Sequence, residues 1–95
     1  VLTCGDIAVN ASTFEVKAAG QKVELPPKEY MILKYLIEHK GMVVERETLL
    51  IRVWGYDYEG NERVVDNHVK KLRKALGEAG KQIKTVITKG YKIEE

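Results

Sequence analysis

A chain of 95 residues with 44% hydrophobic residues is long enough for one domain with a modest core and too short for a large catalytic cleft. It contains no apolar run near the ~20 residues that a membrane-spanning helix needs, and no signal-like segment. The start at Val1, without methionine, predicts a piece of a longer protein, and the single cysteine, Cys4, favours a reducing, cytoplasmic setting.

The net charge of +2 is unevenly distributed along the chain. Up to Glu62 there are seven Lys and Arg against ten Asp and Glu, a balance of −3, whereas from Arg63 onward there are nine against four, a balance of +5. Such an asymmetry indicates a polyanionic partner for the C-terminal side.

The first 25 residues predict an N-terminal antiparallel sheet of three or four strands. Three stretches alternate between apolar and polar side chains or are rich in β-formers, and turn residues separate them: 6–10, 13–17 and 21–25.

Residues 27–77 predict three helices and one short strand. Pro27 suits a first helical turn, and Gly41 suits the end of that helix. Met31 and Tyr35 lie off its apolar face, where they are incidentally exposed, covered by the sheet or part of a partner-facing patch. The further predicted elements are a strand at 42–44, a helix at 46–54, a loop at 55–61 and a helix at about 62–76.

The stretch 62–76, ERVVDNHVKKLRKAL, has two contrasting faces on a helical wheel. One sector is apolar and predicts the core contact: Val65, Val69, Leu72 and Leu76. The opposite face carries four cations and no anion: Arg63, Asn67, Lys70, Lys71 and Lys74. Ordinary solvated faces mix signs because opposite charges four residues apart stabilise a helix by ~0.2–0.5 kcal/mol. The pattern favours a nucleic-acid partner over a plain cationic surface, and the Asn67 amide suits adenine.

The C-terminal residues 83–94 predict a β-hairpin, the wing, turning at Thr88, Lys89 and Gly90. The predicted order of elements is that of an α+β winged helix–turn–helix: sheet, helix, strand, helix, loop, helix and hairpin. The hairpin region is basic through Lys81, Lys84, Lys89 and Lys92, and Arg46 begins the second helix, where a phosphate is favoured. The helix at 62–76 is therefore expected to read bases while the other cations position the domain.

Three strings in this order carry a resemblance to a known family. They are Val53-Trp54-Gly55, then Arg63-x-Val65-Asp66-x-His68-Val69-x-x-Leu72-Arg73-Lys74-x-Leu76, and then Gly90-Tyr91. From about Gly5 to Ile93 the chain closely resembles the effector domain of OmpR/PhoB-type response regulators.

The resemblance implies a bacterial transcription regulator of a two-component phosphorelay, with a receiver domain and a histidine kinase upstream. The third helix would enter the major groove, the wing would touch the adjacent minor groove, and two copies would bind direct repeats head to tail. With the charge argument above, the expected DNA-binding residues are Arg46, Trp54, Arg63, Asn67, Lys70, Lys71, Arg73, Lys74, Thr85, Lys89 and Tyr91. A loop expected to contact RNA polymerase comprises Tyr56, Asp57, Tyr58, Glu59, Gly60 and Asn61, for which a plain solvated loop is the alternative.

Several positions depart from the family pattern. Pro26 and Glu45 replace the usual capping Thr and Ser, so two helix starts are expected to be weaker by ~1 kcal/mol each. Ile87 stands where the wing often carries Arg, which leaves Lys89 as the charged residue of the tip.

Another class of function uses the same layout, since winged helices also bind proteins. The alternative is therefore an interaction module whose basic helix meets an acidic partner. No nucleophile elbow, HExxH or nucleotide-binding glycine pattern is present, so neither an enzyme nor a cofactor is expected. His68 has no Cys/His spacing around it and is expected to be a core or capping histidine rather than a metal ligand.

Overall fold

The N-terminal sheet is a four-stranded meander in a computed structural model that describes all residues, Val1–Glu95. Its strands pair antiparallel in sequence order: β1 (Leu2–Cys4), β2 (Ile7–Asn10), β3 (Glu15–Ala18) and β4 (Gln21–Val23). The predicted strand at 13–17 starts later because Phe14 takes a left-handed turn conformation, φ 61°. The strand Leu2–Cys4 lies outside the three predicted stretches.

Three helices follow the sheet: α1 (Pro27–Glu38), α2 (Arg46–Trp54) and α3 (Arg63–Leu76). A 3-10 helix, Gly77–Gln82, continues from α3, which stops at Gly77 with φ 64°. Neither Pro26 nor Glu45 gives its helix a side-chain cap, as expected from their identities. At α3 the Asn61 Oδ1 accepts a hydrogen bond from the Arg63 backbone N–H at 2.8 Å, which satisfies one free donor there.

A second sheet of three strands contains the wing. Its order is β5 (Val44–Glu45), β7 (Gly90–Ile93) and β6 (Ile83–Val86), all antiparallel. The predicted strand at 42–44 overlaps the observed one only at Val44, because Met42 and Val43 are exposed and lie outside the sheet. The pairing of Val44 with Tyr91 and of Glu45 with Gly90 sets the position of β5.

The core lies between α1, α3 and the inner faces of the two sheets. Val65, Val69 and Leu72 of α3 are fully buried, and Leu76 is 4% exposed, which confirms the predicted apolar stripe. Burial of each such side chain stabilises the fold by roughly 1.5–3 kcal/mol. Trp54 of α2, one of the expected DNA-binding residues, is partly buried at the edge of this core.

A polar contact also joins α1 to α3 inside the fold. Glu29 of α1 is 3% exposed, and its Oε1 pairs with His68 Nδ1. The ring of His68 meets Trp54 edge-on, with ring centroids 5.2 Å apart. His68 is thus a hydrogen-bonded residue at the edge of the core, in agreement with the prediction.

The Gln82 side chain fastens the N-terminal sheet to the base of the wing. Its Nε2 donates to the carbonyl oxygens of Cys4 at 2.7 Å and Glu94 at 3.3 Å, and its Oε1 accepts from the Asp6 N–H at 3.0 Å. The backbone adds a bond from the Glu94 N–H to the Gln82 carbonyl, 3.0 Å. Both ends of the chain are therefore held by one amide.

The outer face of α1 carries the pair whose exposure the sequence left open. Met31 is 39% exposed, whereas Tyr35 is half-buried and stacks on His39 with centroids 4.2 Å apart.

None of the helices has the length and apolar character that crossing a bilayer requires.

Candidate nucleic-acid interface

The basic face of α3 consists of Arg63, Asn67, Lys70, Lys71 and Lys74, and all five side chains are exposed. No carboxylate lies within 4.0 Å of its four cations, since every ion pair of the structure involves other residues. The buried stripe on the opposite side of α3 fixes the rotation of the helix. The predicted cationic face is therefore exposed and is not neutralised by acidic residues of the chain.

Arg73 occupies the flank of α3 that faces the wing. Its Nη2 donates to the Ile83 carbonyl at 2.9 Å and to Thr85 Oγ1 at 2.7 Å, while its Nε donates to the same carbonyl at 3.1 Å. Its guanidinium also lies 5.4 Å from the centroid of the Tyr91 ring. Arg73, Thr85 and Tyr91 were each expected to contact DNA, and the structure brings them together in a joint between helix and wing.

Arg46 begins α2 and reaches the same joint from the other direction. Its Nε donates to Asp66 Oδ1 at 2.7 Å, and its guanidinium lies 5.4 Å from the Tyr91 ring centroid. Tyr91, 4% exposed, donates its hydroxyl to the same Asp66 oxygen at 2.5 Å. One carboxylate oxygen of α3 therefore receives bonds from α2 and from β7.

The electrostatics of this cluster follow from its hydrogen bonds. Partial burial opposes ionisation of Asp66, but the Tyr91 hydroxyl and the Arg46 guanidinium outweigh it, so the pKa of Asp66 lies below its ordinary value. The bond to Asp66 raises the pKa of Arg46. Burial, reinforced by the bond to Asp66, raises the pKa of Tyr91. At neutral pH the cluster therefore holds an ionised carboxylate between a permanent cation and a neutral phenol.

The tip of the wing carries an exposed apolar residue, Ile87, and one lysine, Lys89. Ile87 is 81% exposed, and Thr88 adopts φ 64° with its hydroxyl bonded to the Ile87 carbonyl at 2.6 Å. The turn closes through a bond from the Lys89 N–H to the Val86 carbonyl, 2.9 Å. Lys84 and Lys89 are exposed without an acidic partner.

Two lysines of the hairpin region are paired with acidic residues of the chain and are therefore less available to a phosphate than the sequence indicated. Lys92 lies 3.6 Å from Glu94, and Lys81 lies 3.1 Å from Glu78. The sequence pattern missed these pairs because the acids flank the hairpin instead of lying between the lysines.

Trp54 packs between α1, α3 and the following loop. Lys28 lies over its ring at 5.4 Å and donates to the Val53 carbonyl at 3.1 Å. Tyr58 approaches the same indole with centroids 6.1 Å apart. Trp54 thus anchors the loop of residues 55–61, in which Tyr56 is 86% exposed and the side chains of Asp57 and Glu59 are exposed as well.

Three residues of this region were not among the predicted site residues. Asp66 was recognised only as part of the family string, and its bonds to Arg46 and Tyr91 join segments 20 and 25 residues apart. Glu29 and Gln82 were not singled out at all. The only sequence signal was an acidic residue, Asp66, on an otherwise cationic helix.

Comparison with known proteins gives this arrangement a family. Residues 20–93 match the family described as "Transcriptional regulatory protein, C terminal", and the chain belongs to that family. Its fold is the winged helix of OmpR/PhoB-type response-regulator DNA-binding domains.

Two curated relatives are heme response regulators. The chain is 38% identical over 96 residues to the heme response regulator HssR of Staphylococcus saprophyticus, covering 99% of this chain and 43% of the relative. It is 39% identical over 95 residues to HssR of Staphylococcus aureus strain Newman, covering 98% and 42%. The chain thus spans less than half the length of the curated relatives it matches.

Two solved structures share the fold closely. The response regulator DrrB of Thermotoga maritima, an OmpR/PhoB homologue, superposes with a TM-score of 0.85 at 37% identity, over 96% of this chain and 42% of that one. The RstA DNA-binding domain of Klebsiella pneumoniae, solved in complex with the RstA box, gives 0.85 at 31% identity, over 98% and 95%.

Proposed function

We propose that this chain is the DNA-binding effector domain of a bacterial two-component response regulator that controls transcription from the cytoplasm. The observation that carries the proposal is the basic face of α3: four exposed cations without carboxylate partners on a helix whose rotation is fixed by a buried stripe. An exposed helix with this face fits the major groove of B-DNA.

Different residues of the interface are proposed to have different roles. Lys70, Lys71 and Asn67 reach base edges, because they project from the exposed middle of α3. Arg63, Lys74 and Lys89 contact phosphates, and so does Arg46 through its terminal nitrogens. Arg73, Thr85 and Tyr91 act mainly by holding the wing against α3, as their mutual contacts support.

The partners beyond DNA are proposed from the family. They are a receiver domain and its kinase upstream, a second copy of the domain on a direct repeat, and RNA polymerase. The length of the curated relatives, more than twice that of this chain, supports the receiver domain.

Titration with duplex DNA at several salt concentrations tests the DNA-binding proposal. The four phosphate contacts assigned above predict a slope of log affinity against log salt of about −4 for one bound domain. Selection of bound duplexes from a random pool should then return a repeated motif. A flat salt response, together with no enrichment of any sequence, would favour the alternative of an acidic protein partner.

The polymerase contact is assigned to the exposed loop of residues 55–61. Replacing Asp57 and Glu59 with alanine removes two exposed carboxylates away from the basic face. We expect duplex affinity within about twofold of the wild-type value, because the replaced side chains do not support α3. Transcription from a bound promoter should fall severalfold in a reconstituted assay with the full-length regulator. Undiminished transcription by this variant would exclude the loop as the polymerase contact.

A further inference from the structure

Asp66 belongs to α3, and its carboxylate contacts both α2 and the wing. Its Oδ1 accepts from Arg46 Nε at 2.7 Å and from the Tyr91 hydroxyl at 2.5 Å. The side chains of Arg46 and Asp66 are 24% and 40% exposed, so this ion pair lies at the surface and not in the core.

The bond to Arg46 uses only one edge of the guanidinium. Because the contact is made by Nε, the two terminal nitrogens of Arg46 donate no hydrogen bond within 3.5 Å in the chain, although the guanidinium also lies near the Tyr91 hydroxyl. A guanidinium fork held on one side presents the remaining N–H groups in a fixed plane, which matches two phosphate oxygens. The contact therefore orients Arg46 without consuming its capacity to bind an anion.

The bond to Tyr91 links the same carboxylate to the wing. Tyr91 belongs to β7 and pairs with Thr85 of β6, whose hydroxyl receives the bond from Arg73. A second connection from α3 thus reaches the same pair of strands. The angle between α3 and the wing is therefore fixed from both ends of the joint.

Charge alone would make Asp66 unfavourable at this position. A carboxylate beside a DNA-binding surface repels phosphates, so its removal should strengthen binding unless the side chain does something else. We propose that Asp66 is a positioning residue for DNA binding: it directs the terminal nitrogens of Arg46 toward a backbone phosphate and fixes the wing through Tyr91. This inference rests on the proposed DNA-binding function.

A double-mutant cycle on one selected duplex tests the inference, using the wild-type chain, Asp66→Ala, Arg46→Ala and the double variant at several salt concentrations. We expect Asp66→Ala to weaken binding about tenfold and to reduce the salt slope by about 1, even though it removes a negative charge. In the Arg46→Ala background the same change should alter affinity by less than about twofold, since residues that act through one another are not additive.

Glu62 provides the matched control for charge. It is an exposed acid directly before α3 and makes no side-chain cap or ion pair. Glu62→Ala is expected to leave binding unchanged or slightly tighter. The isosteric Asp66→Asn, checked for folding by urea denaturation, keeps an acceptor for Tyr91 and should fall between the wild-type chain and Asp66→Ala.

The outcomes separate the inference from the function on which it rests. Tighter or unchanged binding by both Asp66 variants, as for Glu62→Ala, overturns the positioning role while duplex binding by the wild-type chain stands. Absence of selective duplex binding by the wild-type chain overturns both.

Discussion

Replacing Lys70, Lys71 and Lys74 together with alanine is expected to lower affinity for a selected duplex by about 100- to 1000-fold at physiological salt. Each lost contact between a lysine and a phosphate should also reduce the slope of log affinity against log salt by about 1. The fold should not suffer, because the three side chains are exposed, have no acidic partner and repel one another. Fluorescence anisotropy across a salt series, with urea unfolding in parallel, measures both quantities.

The matched control removes the same charge from residues outside α3 and the wing. Lys17, Lys22 and Lys40 are exposed residues of the N-terminal sheet and the end of the first helix. Their joint replacement also changes the net charge from +2 to −1, so it isolates the general charge effect from contact with DNA. Equal losses of affinity in the two triple variants would show that α3 does not lie in the groove.

Gly90→Ala is expected to destabilise the domain by about 2–3 kcal/mol, at the upper end of the usual cost of overpacking. An added Cβ would lie 2.1 Å from the Val44 carbonyl oxygen and 2.9 Å from the Glu45 Cα. Both are backbone atoms of β5, so relief requires separating β5 from β7. Urea denaturation measures this loss of stability: the urea concentration at half unfolding should fall, while the dependence of the unfolding free energy on urea stays unchanged.

Gly60→Ala is the matched control for this steric argument. Its added Cβ would lie 2.3–2.4 Å from the hydroxyl and two ring carbons of Tyr58, but these atoms form the outer end of a side chain that is 38% exposed, so relief requires no movement of sheet backbone. The free energy of unfolding should therefore change by less than about 0.5 kcal/mol. Similar losses in the two glycine variants would refute the claim that β5 and β7 are rigidly apposed.

The sequence predicts best the parts of the fold that depend on local periodicity. The predicted helix at about 62–76 is observed at Arg63–Leu76, because Val65, Val69 and Leu72 repeat at helical spacing and Gly77 ends the helix. The exposed cations opposite follow from the same geometry. The family resemblance is confirmed by the match over residues 20–93.

The features that the sequence did not reveal depend on distant backbone atoms and buried polar partners. The strand Val44–Glu45 is displaced from the predicted 42–44 because its pairing with Gly90 and Tyr91 decides its position. In the sequence, Glu29 is an ordinary acidic residue of a first helical turn. Its buried contact is with His68, 39 residues later, and no local pattern indicates that pairing. Asp66 is a comparable case, since no local pattern shows what its carboxylate will meet.

The hydrogen bonds of the Gln82 amide bear on the shortest fragment of the chain that is expected to fold. The family match begins at residue 20, yet Ile7, Val9 and Val16 are packed against the helices with at most 2% exposure. Removing residues 1–19 would expose those side chains to solvent. It would also remove two hydrogen-bond partners of the Gln82 amide, the Cys4 carbonyl and the Asp6 N–H. The autonomous folding unit is therefore wider than the stretch by which the family is recognised, and β1–β3 are integral to it.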